Sequence, residues 1–136
     1  MEELLFVDGM DAALFEKLSP HLTVYGSGTF INVNSASRAV LVAFLLENPL
    51  AAANAELIAD QIIAARKDRG FAHRDDFYTR LPEVPREWGL DRQGLDFSST
   101  AFRGIGVGMG VGGIPGLEIV FVWDTIARQY VLWRER

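Results

Sequence analysis

Residues Phe30-Ile31-Asn32-Val33-Asn34-Ser35-Ala36-Ser37, followed by the apolar run Ala39 to Leu46, constrain this chain more than any other stretch. Asparagines alternate with Ile31 and Val33, so a two-residue period turns the apolar pair inward while the polar side chains occupy backbone hydrogen-bonding groups. Asn34 or Ser35 is placed to start a helix by accepting a hydrogen bond from an otherwise unpaired N–H. The spacing predicts a strand-like lead-in capped into a helix over Ser35 to Leu46.

That helix is apolar nearly all round (Val40, Leu41, Val42, Phe44, Leu45, Leu46), which predicts the most buried helix of its lobe. Glu47-Asn48-Pro49 stops it, because proline disfavours helical backbone in the residue before it. A second helix is predicted from Ala55 to Arg69. It is amphipathic, with Leu57, Ile58, Ile62 and Ile63 against Glu56, Asp60, Arg66 and Lys67, and Gly70 stands as its C-terminal cap. Phe71 and Phe77 flank His73-Arg74-Asp75-Asp76, a further short helix with its acidic end where the macrodipole favours it. The two rings are expected to pack back onto the helix pair. Pro82 and Pro85 then break the chain, Trp88-Gly89-Leu90 closes the helical part, and Asp91 to Gly94 forms a polar link.

Upstream, Asp11 or Asp8 can cap a helix over Ala12 to Leu18, ended by Ser19-Pro20. Leu22-Thr23-Val24-Tyr25 reads as a short extended piece and Gly26-Ser27-Gly28-Thr29 as a loop. Downstream of Leu95 the character changes. Leu117, Ile119, Phe121 and Trp123 alternate with Glu118, Val120, Val122 and Asp124, and Tyr130 to Trp133 follows a turn at Asp124 to Arg128, which predicts an antiparallel hairpin. Phe97 to Phe102 is expected to supply a third strand. Helices followed by strands make the fold class α+β, with a helical lobe over residues 1–94 and antiparallel strands over 95–136.

Composition narrows the functions open to such a fold. At 136 residues, 49% hydrophobic and 23% charged, the chain can bury one core or two small ones. A net charge of −5 and a pI near 5.0 disfavour any role resting on broad phosphate neutralisation. There is no cysteine, so disulfides and thiolate metal sites are excluded. The run Ala39 to Leu46 is far short of the roughly 20 residues that cross a bilayer.

Chemical motifs are scarce. Seven of the thirteen glycines fall between Gly104 and Gly116, and Gly108 to Gly113 matches the dinucleotide-binding pattern. That pattern needs a preceding strand and a following helix, whereas here a strand follows, so a connection between strands, floppy or with a flat glycine face, is expected instead. His21 and His73 stand far apart, and Ser98-Ser99-Thr100 sits in no nucleophile elbow. No enzyme is expected, and no catalytic, cofactor-binding or metal residue is assigned.

The connection Glu47-Asn48-Pro49-Leu50-Ala51-Ala52-Ala53-Asn54 decides the nucleic-acid question. Phosphate-gripping helical pairs use a Gly-hydrophobic-Gly turn that presents backbone N–H groups. This connection has no glycine, an added acid, and a proline that removes a donor. Arg66, Lys67 and Arg69 remain as a small basic patch diluted by Asp60 and Asp68.

In order, these segments resemble the helix-hairpin-helix (SAM-like) unit shared by the competence receptor for DNA uptake and the K-type minor pseudopilin of type II secretion, the general secretion pathway. With the phosphate grip missing, the chain is similar to the C-terminal part of the K-type family. Leu5 to Asp11 resembles its Leu-x-x-Val-x-Gly-Met segment, Leu18 to Tyr25 its Leu-x-Pro-x-Leu-Thr-Val, and Ile31 to Ala36 its Ile-Asn-Val-Asn-Thr-Ala, with Ser35 for threonine. Leu95 to Phe102 resembles the strand that returns to a pilin-type sheet, and Val131 to Glu135 the family's ending. The resemblance implies a structural protein of the pseudopilus tip, periplasmic and anchored in the inner membrane through an N-terminal helix outside this chain. It implies the I and J minor pseudopilins as partners, secreted proteins as further contacts, and no nucleic acid. The alternative it leaves is a DNA-binding protein of the competence-receptor type.

Overall fold

A computed structural model describes residues 2–23, 25, 30–109 and 115–135. Among them are five α-helices and two sheets, a mixed α+β fold. The chain divides into two compact units, Met1–Leu22 with Thr29–Ser98, and Thr23–Gly28 with Ser99–Arg136.

In the first unit, helix α1 (Ala12–Leu18) begins where the sequence predicts. The Asp11 carboxylate accepts from the N–H of Leu14 at 2.7 Å, and Ser19 ends the helix. Val24 and the predicted loop Gly26 to Thr29 lie outside the described residues. Strand β1 (Ile31–Asn32) is only two residues long and pairs in parallel with β2 (Leu95–Asp96). Val33 follows it, fully buried.

Helix α2 (Arg38–Leu46) starts later than Ser35, and its cap is Ser37, whose hydroxyl accepts from the N–H of Val40 at 3.4 Å. Asn34 and Ser35 form a turn instead, because the Asn34 side chain is committed elsewhere. Nor is α2 the most buried helix. It fully buries Leu41 and Leu45, whereas α3 (Ala55–Arg66) buries Ala55, Ile58, Ala59 and Ile62. The reason is that α2 has one covered side, and Leu46 is left on the open one.

Helix α3 stops at Arg66 and not Arg69. Its C-cap is Lys67, so Gly70 is not the cap. Helix α4 (Arg74–Arg80) carries Asp75 and Asp76 in its first turn, as charge placement predicts, with the His73 ring accepting from the N–H of Asp76. Phe71 and Phe77 meet edge to face at 5.0 Å and join Leu41, Leu45, Ile58 and Ile62 in one core. Burying such side chains contributes roughly 1.5–3 kcal/mol each. Asp91 to Gln93, expected as a polar link, instead belongs to the one-turn helix α5 (Leu90–Gln93), whose Leu90 is buried in that core.

The second unit is a three-stranded antiparallel sheet, β3 (Ala101–Met109), β4 (Pro115–Asp124) and β5 (Gln129–Glu135), in that spatial order. The predicted hairpin is β4–β5. Its turn is held by the Asp124 carboxylate, which accepts from the N–H groups of Ile126 and Ala127 at 2.8 and 2.9 Å. Strand β3 begins at Ala101 and not Phe97, because Phe97 packs on the first unit's core 6.0 Å from Phe77. It runs through Gly104, Gly106 and Gly108, which are therefore strand residues and not a connection; residues 110–114 lie outside the described set.

Candidate functional site

The stretch around Asn34 is where three separated segments are tied together. Asn34 Nδ2 donates to the carbonyls of Phe71 and Phe97 at 2.8 and 3.0 Å, and its Oδ1 accepts from the N–H of Phe71 at 2.7 Å. One amide thus imitates a β-bridge to residue 71 while holding the chain after β2. Asn32 Oδ1 accepts from the N–H of Asn34 at 2.9 Å and fixes the turn. Gly70 is small for this reason: a methyl group there would stand 3.1 Å from Asn34 Oδ1.

Two arginines complete the joint. Arg66 donates to the carbonyls of Val33 and Ala36, and burial lowers its pKa. Arg80 takes up one carbonyl in the last turn of α3, that of Ala65, and two beyond its end, those of Arg69 and Gly70, and its guanidinium lies 4.5 Å from the centre of the Phe71 ring. The Ala65 carbonyl is one of the acceptors that a helix C-terminus leaves unpaired, which a cation near the end satisfies. Asp76 anchors the same corner. The N–H of Ala72, with Arg69 and Arg80 beside it, holds its carboxyl below the usual aspartate value.

These contacts use up most of the basic patch. Arg66 is spent on backbone and Arg69 is paired with Asp76 at 3.0 Å. On the opposite side Arg38 reaches Asp60 at 2.6 Å and Glu56 at 3.3 Å, which lowers the Asp60 pKa.

The connection between α2 and α3 is organised by Asn48, which is buried. Its Oδ1 accepts from the N–H groups of Leu50 and Ala51 at 2.9 and 3.3 Å, and its Nδ2 donates to the Trp88 carbonyl and to Gln93 Oε1, both at 2.9 Å. All four hydrogen-bonding capacities of the amide are used. The N–H groups of Ala52, Asn54 and Ala55 are taken by the carbonyls of Asn48, Ala51 and Ala52. These N–H donors are thus used within the connection itself.

What faces outward mixes leucines with polar groups. Leu46, Leu50 and Leu57 are each more than half exposed, and a shallow groove of about 380 Å³ is lined by Val42, Leu46, Ala53 and Leu57 together with Asn54 and Glu56.

The residues weighed for catalysis have structural positions. His21 Nδ1 lies 3.0 Å from the Ser37 hydroxyl, beside the start of α2, and His73 caps α4. Among the described residues no group of His, Asp or Glu could hold a metal ion, and no helix is long and apolar enough to cross a membrane. Tyr78 donates to Asp91 at 2.8 Å, and burial together with that carboxylate pushes its pKa up to about 12.

No family model, curated protein or solved structure matches the chain.

The roles of Asn48 and Arg80 were missed by sequence reasoning. For Asn48 the available signal was an Asn-Pro pair after an apolar helix, which marks a turn without saying that the asparagine is buried.

Proposed function

We propose that this chain is the C-terminal part of a K-type minor pseudopilin, a non-enzymatic component of the type II secretion pseudopilus tip. On this reading α2 and α3 are a helix-hairpin-helix unit of SAM-like kind kept as scaffold, and β3 to β5 are the closing strands of a pilin-type sheet. The work is done by protein–protein contact, with I- and J-type minor pseudopilins as partners and secreted proteins as further contacts. The setting on this reading is the periplasm.

One observation carries the reading. In the connection at residues 47–54, the N–H groups of Leu50 and Ala51 are occupied by the buried Asn48, while Leu50 itself is exposed. A surface of leucines beside Glu47 and Glu56 suits a protein partner and repels a phosphate backbone. The same observation weighs against the competence-receptor alternative, whose affinity would have to come from phosphate contacts.

The test is co-purification of the chain with the globular domains of I- and J-type minor pseudopilins, beside an electrophoretic shift assay with duplex DNA at low salt. Complex formation without a shift is expected. A DNA complex whose affinity falls steeply with salt would replace this reading with the competence-receptor one, and failure to bind either pseudopilin domain would remove its main support.

A further inference from the structure

The strand register sorts the second unit's side chains onto two faces. Phe102, Gly104 and Gly106 of β3 lie opposite Trp123, Phe121 and Ile119 of β4, and β5 sets Tyr130 and Trp133 beside Trp123 and Phe121. Four of these rings interlock: Tyr130 lies 4.9 Å from Trp123, 5.6 Å from Phe121 and 5.3 Å from Trp133, and Phe121 stacks on Trp133. Phe102, Tyr130 and Trp133 remain more than half exposed. The strand cations Arg103 and Arg134 fall on the other face, with Val120 and Val122. Glu135, on the ring side, accepts from the indole N–H of Trp133 at 3.1 Å. Arg103 and Arg134 are therefore turned away from the phosphates of any base or lipid headgroup laid on these rings.

The glycines on the same face differ from one another. A methyl group on Gly104 would stand 2.2 Å from the Phe121 ring, so that recess is filled from within. A methyl group on Gly106 would meet nothing within 4 Å among the described residues. Glycine weakens a strand interior and leaves a flat patch of backbone, which marks a place where another group comes close.

The pattern is self-complementary. Phe102 and Gly106 each stand two residues from Gly104, and Trp123 and Ile119 each stand two residues from Phe121. A twofold axis crossing the strands at the level of Gly104 and Phe121 carries the exposed ring of one copy onto the bare glycine of the other, and the reverse, as an isologous interface requires.

We propose that two copies of this chain pack these faces together as a twofold dimer, each Phe102 ring seated on the partner's Gly106. The inference stands apart from the pseudopilin reading, since it uses only the register and the face of the sheet. Three strands about seven residues long present roughly 350 Å² in projection, below the about 800 Å² per partner of a stable complex. The dimer is therefore weak and concentration-dependent.

Sedimentation of the whole chain over a wide concentration range tests it. A monomer–dimer equilibrium is expected, with tryptophan emission moving to shorter wavelength as Trp123 and Trp133 leave water. Gly106→Val has room within its own chain and suits a strand better, so it should keep or raise Tm while weakening dimerisation by at least about tenfold. Ile105→Ser, on the opposite face, should leave the dimer intact. Should Gly106→Val fail to fold, Phe102→Ser must show the same loss. A chain that stays monomeric throughout overturns the proposal, including one whose ring face instead takes up an oligosaccharide or a partner's helix. So does a dimer that Gly106→Val leaves intact, or that Ile105→Ser dissolves equally.

Discussion

Asn34 shows how much one amide can carry when its partners are backbone groups. It stands in for a rung of sheet toward Phe71, which lies in no strand, and it uses both its donor and its acceptor there. Asn34→Ala leaves those groups unpaired and should cost about 2–3 kcal/mol in urea unfolding. Asn34→Asp keeps the acceptor but sets a second oxygen against the carbonyls of Phe71 and Phe97. It should be at least as harmful at neutral pH, and because those carbonyls disfavour the charged form and raise the folded pKa, part of the loss should be recovered as pH falls toward the unfolded value of about 3.9. Asp76 gives the opposite pH signature. Its pKa is lowered in the folded chain by the Ala72 N–H and by Arg69 and Arg80. Its stabilisation is therefore present above the unfolded aspartate value of about 3.9 and is lost as pH falls through the lower folded value. Asp76→Asn should unfold at lower temperature than the parent at pH 7, with the gap closing as the parent is acidified below pH 4.

Among the elements, the ends of helices and hairpins decide more than their interiors. Arg80, an element away from α3 in sequence, takes the Ala65 carbonyl of its last turn and the Arg69 carbonyl just after it, so the chain leaves α3 at Arg66 without a glycine cap. The β4–β5 turn is less relaxed, since Arg128 adopts a left-handed backbone with φ of 52°. L-residues other than glycine resist that conformation by about 1 kcal/mol or more. Arg128→Gly should therefore raise the midpoint of thermal unfolding by relieving this residue, in proportion to roughly 1 kcal/mol. Calorimetry would show it. An unchanged or lower Tm would mean that the arginine side chain contributes more than its backbone costs.

For the whole molecule, stability is unevenly distributed. The core gathered from α2, α3, α4 and α5 includes the buried Leu41, Leu45, Ile62, Phe77 and Leu90, whereas α1 buries none of its residues. Segments with few buried contacts open with little of the global free energy. Amide hydrogen exchange should thus be fast across Ala12–Leu18 and slowest in Ile58 to Ile62. Comparable protection in the two helices would show that α1 is held by more than its own cap.

The helices α1, α3 and α4, the Asp11 cap and the β4–β5 hairpin were legible in the residues. Apolar period, capping residues and turn residues act between positions at most a few residues apart, so the local order of the chain contains them. The importance of the Asn-x-Asn stretch was legible too, but its use was not. Asn34 looked like a cap and became a tie to residues 71 and 97, with Ser37 taking over the helix start. The inward turn of Asn48, the clasp of Arg80 and the pairing of Leu95 with Ile31 are likewise contacts across long sequence separations. Periodicity states which side of an element is apolar. Which carbonyl lies within 3 Å of a given amide depends on how the elements stack, and only the tertiary structure decides that.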